Sequence, residues 1–294
     1  MTKKIMLTGA SGFLGSHLAK ALLSAGHEVI ALKRRTSSLS RIESVAANLV
    51  LVEIDHLSFD TLFTQFGNID AIIHTATAYG RSNESVSAIF AANTVFPLKL
   101  LDAGSRAGIK IFINTDTILD PYLSLYSLSK NQLLQWGKYF SIQNKIKFIN
   151  MRLEHFYGPE IDELNFTAYV INNCLANTLE LKLTMGEQKR DFIYIDDVVA
   201  AYLLVLEKAT YFDKPFIEFD VGSGQSISIR SFVETVHRLT ASQTHLAFGA
   251  MPYREGEVMF SQANITALCT LGWRCQYDVA AGLKLVIDKE RTKQ

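Results

Sequence analysis

The chain of 294 residues has little cysteine: Cys174, Cys269 and Cys275 are an odd number, and no two stand at C-x-x-C spacing. This excludes a disulfide framework and a thiolate metal site, and it leads us to expect a reducing, cytoplasmic setting. The seven histidines, at 17, 27, 56, 74, 155, 237 and 245, never fall at H-x-H or H-x-x-x-H spacing, so no metal site is expected. Charge of one sign is missing too. The 29 Lys+Arg balance the 29 Asp+Glu, so net charge recruits neither nucleic acid nor a membrane surface, and an anionic ligand must be met by local cations. No run of roughly 18 apolar residues occurs, and the apolar stretch after Lys3 and Lys4 is too short for a signal-peptide core. No membrane partner is expected. There is no repeat, no low-complexity tract and no Pro/Ser linker.

What is present is a 48% apolar composition, enough for a large core. Short β-branched and apolar runs stand at residues 4–8 (KIMLT), 28–32 (EVIAL), 48–54 (NLVLVEI), 69–73 (IDAII), 110–114 (KIFIN) and 145–151 (KIKFINM). Helical periodicity fills most gaps, notably at 84–107 and 125–140. Strands alternating with helices from the first residues onward predict an α/β fold with a doubly wound parallel sheet. After about residue 155 the alternation becomes irregular. A further strand at 192–195 (FIYI) runs into a helix, and short strands precede helices near 229–239 and 279–289.

Between the first strand and the first helix stands Thr8-Gly9-Ala10-Ser11-Gly12-Phe13-Leu14-Gly15. Gly9 permits a sharp turn, Gly12 lets backbone approach a pyrophosphate, and Gly15 lets helix pack on strand. The N–H groups of the helix start then face the phosphates, making Gly9, Ser11, Gly12, Phe13, Leu14 and Gly15 candidate cofactor contacts. An NAD enzyme usually has an acid at the end of the second strand. Here Lys33, Arg34 and Arg35 stand in its place, which suits the 2′-phosphate of NADP(H). Asp55, at the end of the third strand, is a candidate adenine contact.

Tyr126 and Lys130 lie four residues apart on one helix face in Tyr-Ser-Leu-Ser-Lys. A phenol with pKa near 10 is a poor acid–base group at neutral pH, and a nearby ammonium makes its proton transfer accessible. In a reduction Tyr126 would deliver the proton to a carbonyl oxygen. A hydroxyl partner is expected at the end of the fifth strand, where Thr115 and Thr117 are both available on one side.

The G-x-x-G-x-x-G turn and the Tyr/Lys pair resemble the extended short-chain dehydrogenase/reductase family, also called the NAD-dependent epimerase/dehydratase family. The resemblance continues through Ile73-His74-Thr75-Ala76, Asn93, residues 152–159 (RLEHFYGP), 186–197 (GEQKRDFIYIDD), 221–224 (VGSG) and 271–273 (LGW). It departs from the family pattern at His155, where Asn is usual. The family's Ser/Thr pattern points to Thr115 as the hydroxyl partner, and the short spacing of eleven positions from Thr115 to Tyr126 keeps Thr117 as the alternative. The resemblance implies a Rossmann core over 1–155 with a return near 190–210, and a smaller, interleaved substrate lobe mainly over 156–294. It further implies that Thr75, Ala76, Asn93 and Lys130 serve the cofactor. Arg81, Asn165, Arg190 and Arg254 would serve a nucleotide-diphosphate sugar, and helices 84–107 and 125–140 would make a homodimer.

Residues 78–84 (AYGRSNE), 151–159 and 186–197, with the short loop before Tyr126, resemble the CDP-paratose and CDP-abequose synthases. The implied reaction is NADPH-dependent reduction of the C4 ketone of a nucleotide-activated 4-keto-deoxyhexose, CDP-4-keto-3,6-dideoxyglucose first among them. Sugar dehydratases resemble one another in a Thr-Asp-Glu trio, whereas this chain has Thr115-Asp116-Thr117 without the glutamate. The alternatives left open are a dTDP-4-keto-6-deoxyhexose reductase, a reductase of small free carbonyl compounds, and a non-catalytic NADP-binding regulator.

Overall fold

The computed structural model describes residues 2–81 and 83–292. Its elements begin with β1 (Lys4–Thr8), α1 (Phe13–Ser24), β2 (Glu28–Lys33), β3 (Val50–Glu53), α2 (Phe59–Phe66) and β4 (Ala71–His74). Then follow α3 (Val86–Phe90), α4 (Phe96–Arg106), β5 (Ile111–Thr117), α5 (Leu125–Ile142), β6 (Lys147–Leu153) and β7 (His155–Tyr157). The last third holds α6 (Phe166–Leu175), β8 (Glu180–Leu183), β9 (Lys189–Tyr194), α7 (Ile195–Lys208), β10 (Phe216–Val221), β11 (Ser226–Ser228), α8 (Ile229–Thr240), β12 (His245–Phe248), α9 (Thr266–Thr270) and α10 (Val279–Arg291).

Seven strands form one sheet in the order β10-β6-β5-β4-β1-β2-β3. The pairs β1–β2, β2–β3, β1–β4 and β4–β5 are parallel. The chain winds outward from β1 to β3, then restarts at β4 and winds the other way. The reversal puts a crevice at the carboxyl ends of β1 and β4, where Thr8 and His74 stand side by side. The chain splits into two compact units, Met1–Arg152 with Val199–Phe219, and Leu153–Val198 with Asp220–Gln294.

In the first unit, Met6, Ile30, Ile72 and Phe112, register partners on one face of the sheet, build a core with Leu100, Leu101 and Phe148. Phe112 and Phe148 stack at 5.5 Å, and Phe148 stacks on Phe216 at 6.5 Å. Helix α5 lies directly on this stack through Gly137, where a Cβ would come within 2.4 Å of the Phe148 ring. Its start is set by a capping box between Ser124 and Ser127. The helix that carries Tyr126 and Lys130 is thus held at its start by hydrogen bonds and along its length by a close glycine contact.

Two elements differ from the periodicity. The fifth strand continues past residue 114 to Thr117, because its polar end is paired rather than solvated. The helical stretch expected at 84–107 is broken by a wide π turn over Ala91–Val95 between α3 and α4. By length and composition, Val86–Arg106 is apolar enough to cross a membrane. Part of it faces the core: Asn93 and Thr94 are buried and hydrogen-bonded, and Leu100 and Leu101 are fully covered.

The second unit contains a three-stranded sheet, β11-β9-β7, and a two-stranded one, β12-β8. Phe192 stacks on Phe232 at 4.0 Å, and Tyr157 packs edge-on against both.

Candidate active site

The first turn is built as its glycines require. Gly9 has φ +71°, and a Cβ on it would meet Ala76 N at 2.6 Å; a Cβ on Gly15 would fall 2.0 Å from the Gly9 carbonyl oxygen. The Thr75 hydroxyl donates to Thr8 O at 2.8 Å, and the N–H groups of Thr75 and Ala76 approach Thr8 Oγ1 at 3.2 and 3.3 Å. These two residues therefore form the wall of the turn. Helix α1 begins at Phe13 with no side-chain cap and no acid in its first turn, so the positive end of its dipole is open to an anion. The side chains of Phe13 and Leu14 are buried in the core, which leaves their backbone for a ligand. Gly12 and Ser11 stay partly open.

At the end of β2 the three expected cations separate. Lys33 pairs across the sheet with Glu53 at 3.4 Å, so a carboxylate already stands beside this candidate phosphate contact. Arg34 and Arg35 are exposed. Asp55 accepts the Arg35 backbone N–H at 2.7 Å, so its carboxylate shapes this basic loop.

The candidate catalytic groups converge at the end of β5. Thr115 and the buried Tyr202 of α7 share a hydrogen bond of 2.7 Å, which occupies the Thr115 hydroxyl. Thr117 is the threonine beside Tyr126, and its hydrogen bonding favours the ionised phenol. Burial is the larger influence, however. It holds the Tyr126 pKa well above its usual 10, reinforced by Tyr79 and Asp116 and opposed by Thr117 and Arg81. Arg81 is the cation that opposes burial at Tyr126.

Lys130 is 1% exposed, and its ammonium has no hydrogen-bond partner among the described residues. Burial lowers its pKa to about 8, with Asp116 pulling the other way. The Asp116 carboxylate is itself held by the Thr117 N–H at 2.8 Å and by Asn150 Nδ2 at 2.9 Å. Asn150 also receives Asn114 Nδ2 at 2.8 Å and donates to Glu218 at 2.9 Å. His74 sits behind this cluster with Nδ1 on the Thr8 hydroxyl at 2.8 Å. Burial, then the Lys130 charge, keeps its imidazole neutral.

Asn93 makes four bonds to protein. Its oxygen accepts from Ala78 N (2.7 Å) and Thr77 Oγ1 (3.2 Å), and its amide donates to Ala78 O (2.8 Å) and Ser129 Oγ (3.0 Å). Its amide is a clamp between the segment after β4 and α5. The clamp delivers Tyr79, whose ring packs on Tyr126 at 5.1 Å with the Arg81 guanidinium 4.7 Å from its centroid. Sequence reasoning missed Tyr79, Ser129, Asn150 and Tyr202. Of these, Tyr79 and Ser129 lay in segments singled out by resemblance.

In the second unit, Arg190 is 8% exposed and pairs with Glu257 at 2.5 Å. Burial lowers its pKa, and Glu257 and then Glu154 oppose that shift. Arg254 is exposed. Asn165 caps α6 by accepting the Thr167 N–H at 2.9 Å, so its side-chain oxygen is engaged by its own helix.

The profile described as the NAD dependent epimerase/dehydratase family matches residues 5–217. The chain belongs to this family. Among curated members, the CDP-abequose synthase of Salmonella muenchen is 34% identical over 294 residues, covering 98% of each chain. That of Salmonella typhimurium is 33% identical over 298 residues, covering 97% of each. The Thermotoga maritima UDP-glucose 4-epimerase with UDP-glucose superposes with a TM-score of 0.86 at 23% identity, covering 99% of each chain. MoeE5 with UDP-glucuronic acid and NAD does so with 0.85 at 23%, covering 99% of this chain and 100% of the other. At that identity the two structures share the fold. The relatives make this chain a nucleotide-sugar-modifying enzyme of the family.

The nicotinamide dinucleotide that the family implies fits the residues present. A glycine cradle that side chains would fill, an uncapped helix start and an orphaned buried ammonium together match a pyrophosphate and a polar ribose.

Proposed function

We propose that the protein is an NADPH-dependent ketoreductase acting at C4 of a nucleotide-activated 4-keto-deoxyhexose, with CDP-4-keto-3,6-dideoxyglucose as substrate. The observation that carries the chemistry is Lys130: a buried, unpartnered ammonium one helical turn from Tyr126. Such a group is costly unless a ligand satisfies it. The CDP sugar is supported by the two synthases at 33–34% identity, and the phosphate on the cofactor by the exposed Arg34 and Arg35.

When bound, the cofactor supplies hydride to the carbonyl carbon. Tyr126 gives its proton to the C4 oxygen, and Thr117 holds that oxygen with its hydroxyl. The raised pKa keeps the phenol protonated at neutral pH, as a proton donor must be. The cations of Lys130 and Arg81 then stabilise the tyrosinate as it forms. Asn93 keeps the Tyr79 wall in place, and Arg190 and Arg254 take the diphosphate. Homodimerisation is supported by the exposed apolar side chains of Val86 and Phe90 on α3 and Trp136 and Tyr139 on α5.

The test is optical: NADPH consumption with CDP-4-keto-3,6-dideoxyglucose beside dTDP-4-keto-6-deoxyglucose, each repeated with NADH. Turnover of the CDP sugar with NADPH and its loss in Tyr126→Phe are expected. Turnover of the dTDP sugar alone keeps the mechanism and replaces the substrate. Faster reaction with NADH removes the role given to Arg34 and Arg35. Cofactor binding without turnover of either sugar sinks the reading.

A further inference from the structure

Arg190 is too buried to be an ordinary surface cation. Its guanidinium donates to Lys189 O at 2.8 Å and to Glu257 Oε1 at 2.5 Å. Glu154, the second carboxylate in its field, is already engaged by the Ser261 hydroxyl at 2.5 Å and by His155 Nδ1 at 3.1 Å. A desolvated guanidinium without an anion is strongly unfavourable, and Glu257 is that anion.

Glu257 is carried on a short span pinned at both ends. On one side the Glu187 N–H donates to the Tyr253 hydroxyl at 3.2 Å. On the other the Lys189 N–H donates to Met259 O at 2.9 Å, and the Ser261 N–H to Lys189 O at 3.1 Å. Between these pins the chain turns through Gly256, at φ +70°, with the Glu257 N–H on Arg254 O at 3.1 Å. Arg254 and Glu257 therefore share one turn. The cation is exposed and the carboxylate is drawn inward.

We propose that Glu257 is a resident counter-anion which the substrate's diphosphate replaces on Arg190, the same rearrangement of the turn bringing Arg254 onto the phosphates. This rests on the reading of Arg190 and Arg254 as diphosphate ligands. The exchange makes Glu257 a specificity determinant. A diphosphate brings enough negative charge to take the place of a carboxylate on a buried guanidinium, and a nucleoside brings none. Competition from Glu257 weakens every ligand that must displace it, and the penalty is largest for those that rely on Arg190.

The experiment is calorimetric titration of CDP, dTDP and UDP into the full chain, with cytidine as the uncharged control, for wild type, Glu257→Gln and Glu257→Asp. Glu257→Gln is expected to bind the preferred nucleoside diphosphate about tenfold more tightly, a shift one removed charge contact can supply, with cytidine binding unchanged. Glu257→Asp, which keeps the charge, is expected to bind like wild type. A second readout is thermal: ligand-free Glu257→Gln melts lower than wild type and gains more from the diphosphate, since its buried Arg190 lacks an anion. Unchanged or weaker diphosphate binding by a folded Glu257→Gln overturns the proposal, as does equal tightening in Glu257→Asp. If wild type and variants all fail to bind every nucleoside diphosphate, the diphosphate reading itself falls and takes this one with it.

Discussion

Buried charges in the two units are treated in opposite ways. Asp191 on β9 is fully covered, and its carboxylate receives the Ser223 N–H at 2.7 Å, the Ser223 hydroxyl at 2.6 Å, the Gly224 N–H at 2.9 Å and the Ala263 N–H at 3.2 Å. Asp197, also buried, collects the N–H groups of Gln276 and Tyr277 and the Cys275 thiol. Lys130 in the first unit has no such partner. A buried charge surrounded by donors is a staple: it ties segments distant in sequence and has no capacity left for a ligand. A buried charge without partners weakens the fold and is poised for a ligand to satisfy it.

Removing the staple should cost the most. Asp191→Ala leaves four donors facing a vacancy, and we expect a loss of about 4 kcal/mol in denaturant unfolding; a loss below about 1 kcal/mol would erase the contrast with Lys130. The lysine should show the opposite sign. Lys130→Met is expected to abolish turnover while raising stability by up to about 3 kcal/mol, the equivalent of the depression from 10.5 to about 8 at 1.36 kcal/mol per unit. Because this cation's folded pKa lies below its unfolded one, the penalty is complete below pH 8. It fades between pH 8 and 10.5, and so should the variant's advantage in urea melts across that range. A destabilised Lys130→Met would mean that the ammonium has a partner in solution.

Smaller effects sharpen the comparison. Gly137→Ala places a methyl into the Phe148 ring, which is itself stacked on Phe112 and Phe216. We expect a loss of about 2 kcal/mol, although alanine is the better helix former; an unchanged melting temperature would show that α5 can shift on the sheet. Thr117→Val is expected to lower kcat about tenfold, a contribution of about 1.4 kcal/mol, and Thr115→Val much less, because its hydroxyl is held by Tyr202. Equal losses would show that both threonines act on the reacting oxygen.

Much of the site was legible because its constraints are local. The glycine turn needs particular residues at fixed short spacing, and Gly9 and Gly15 prove to be positions where a side chain would collide. Tyr126 and Lys130 face together because one helical turn makes them do so. The landmarks at 221–224 and 271–273 were legible as words without a reason. The structure supplies one: Ser223 and Gly224 hold Asp191, and the Trp273 indole donates to Asp197 O at 3.1 Å. What could not be read was which groups are already occupied. Lys33 is neutralised by Glu53 twenty residues away, and the Asn93 amide is spent on Ala78 and Ser129.

The sequence by itself determined the parallel α/β architecture, the dinucleotide turn and the Tyr/Lys pair, because periodicity and short motifs act between near neighbours along the chain. Only the tertiary structure decided that Thr117 rather than Thr115 accompanies Tyr126, that Lys130 is left without a partner, and that Glu257 occupies Arg190. Those outcomes depend on hydrogen bonds and burial among residues far apart in sequence, where competition for a partner is settled by packing and not by residue type.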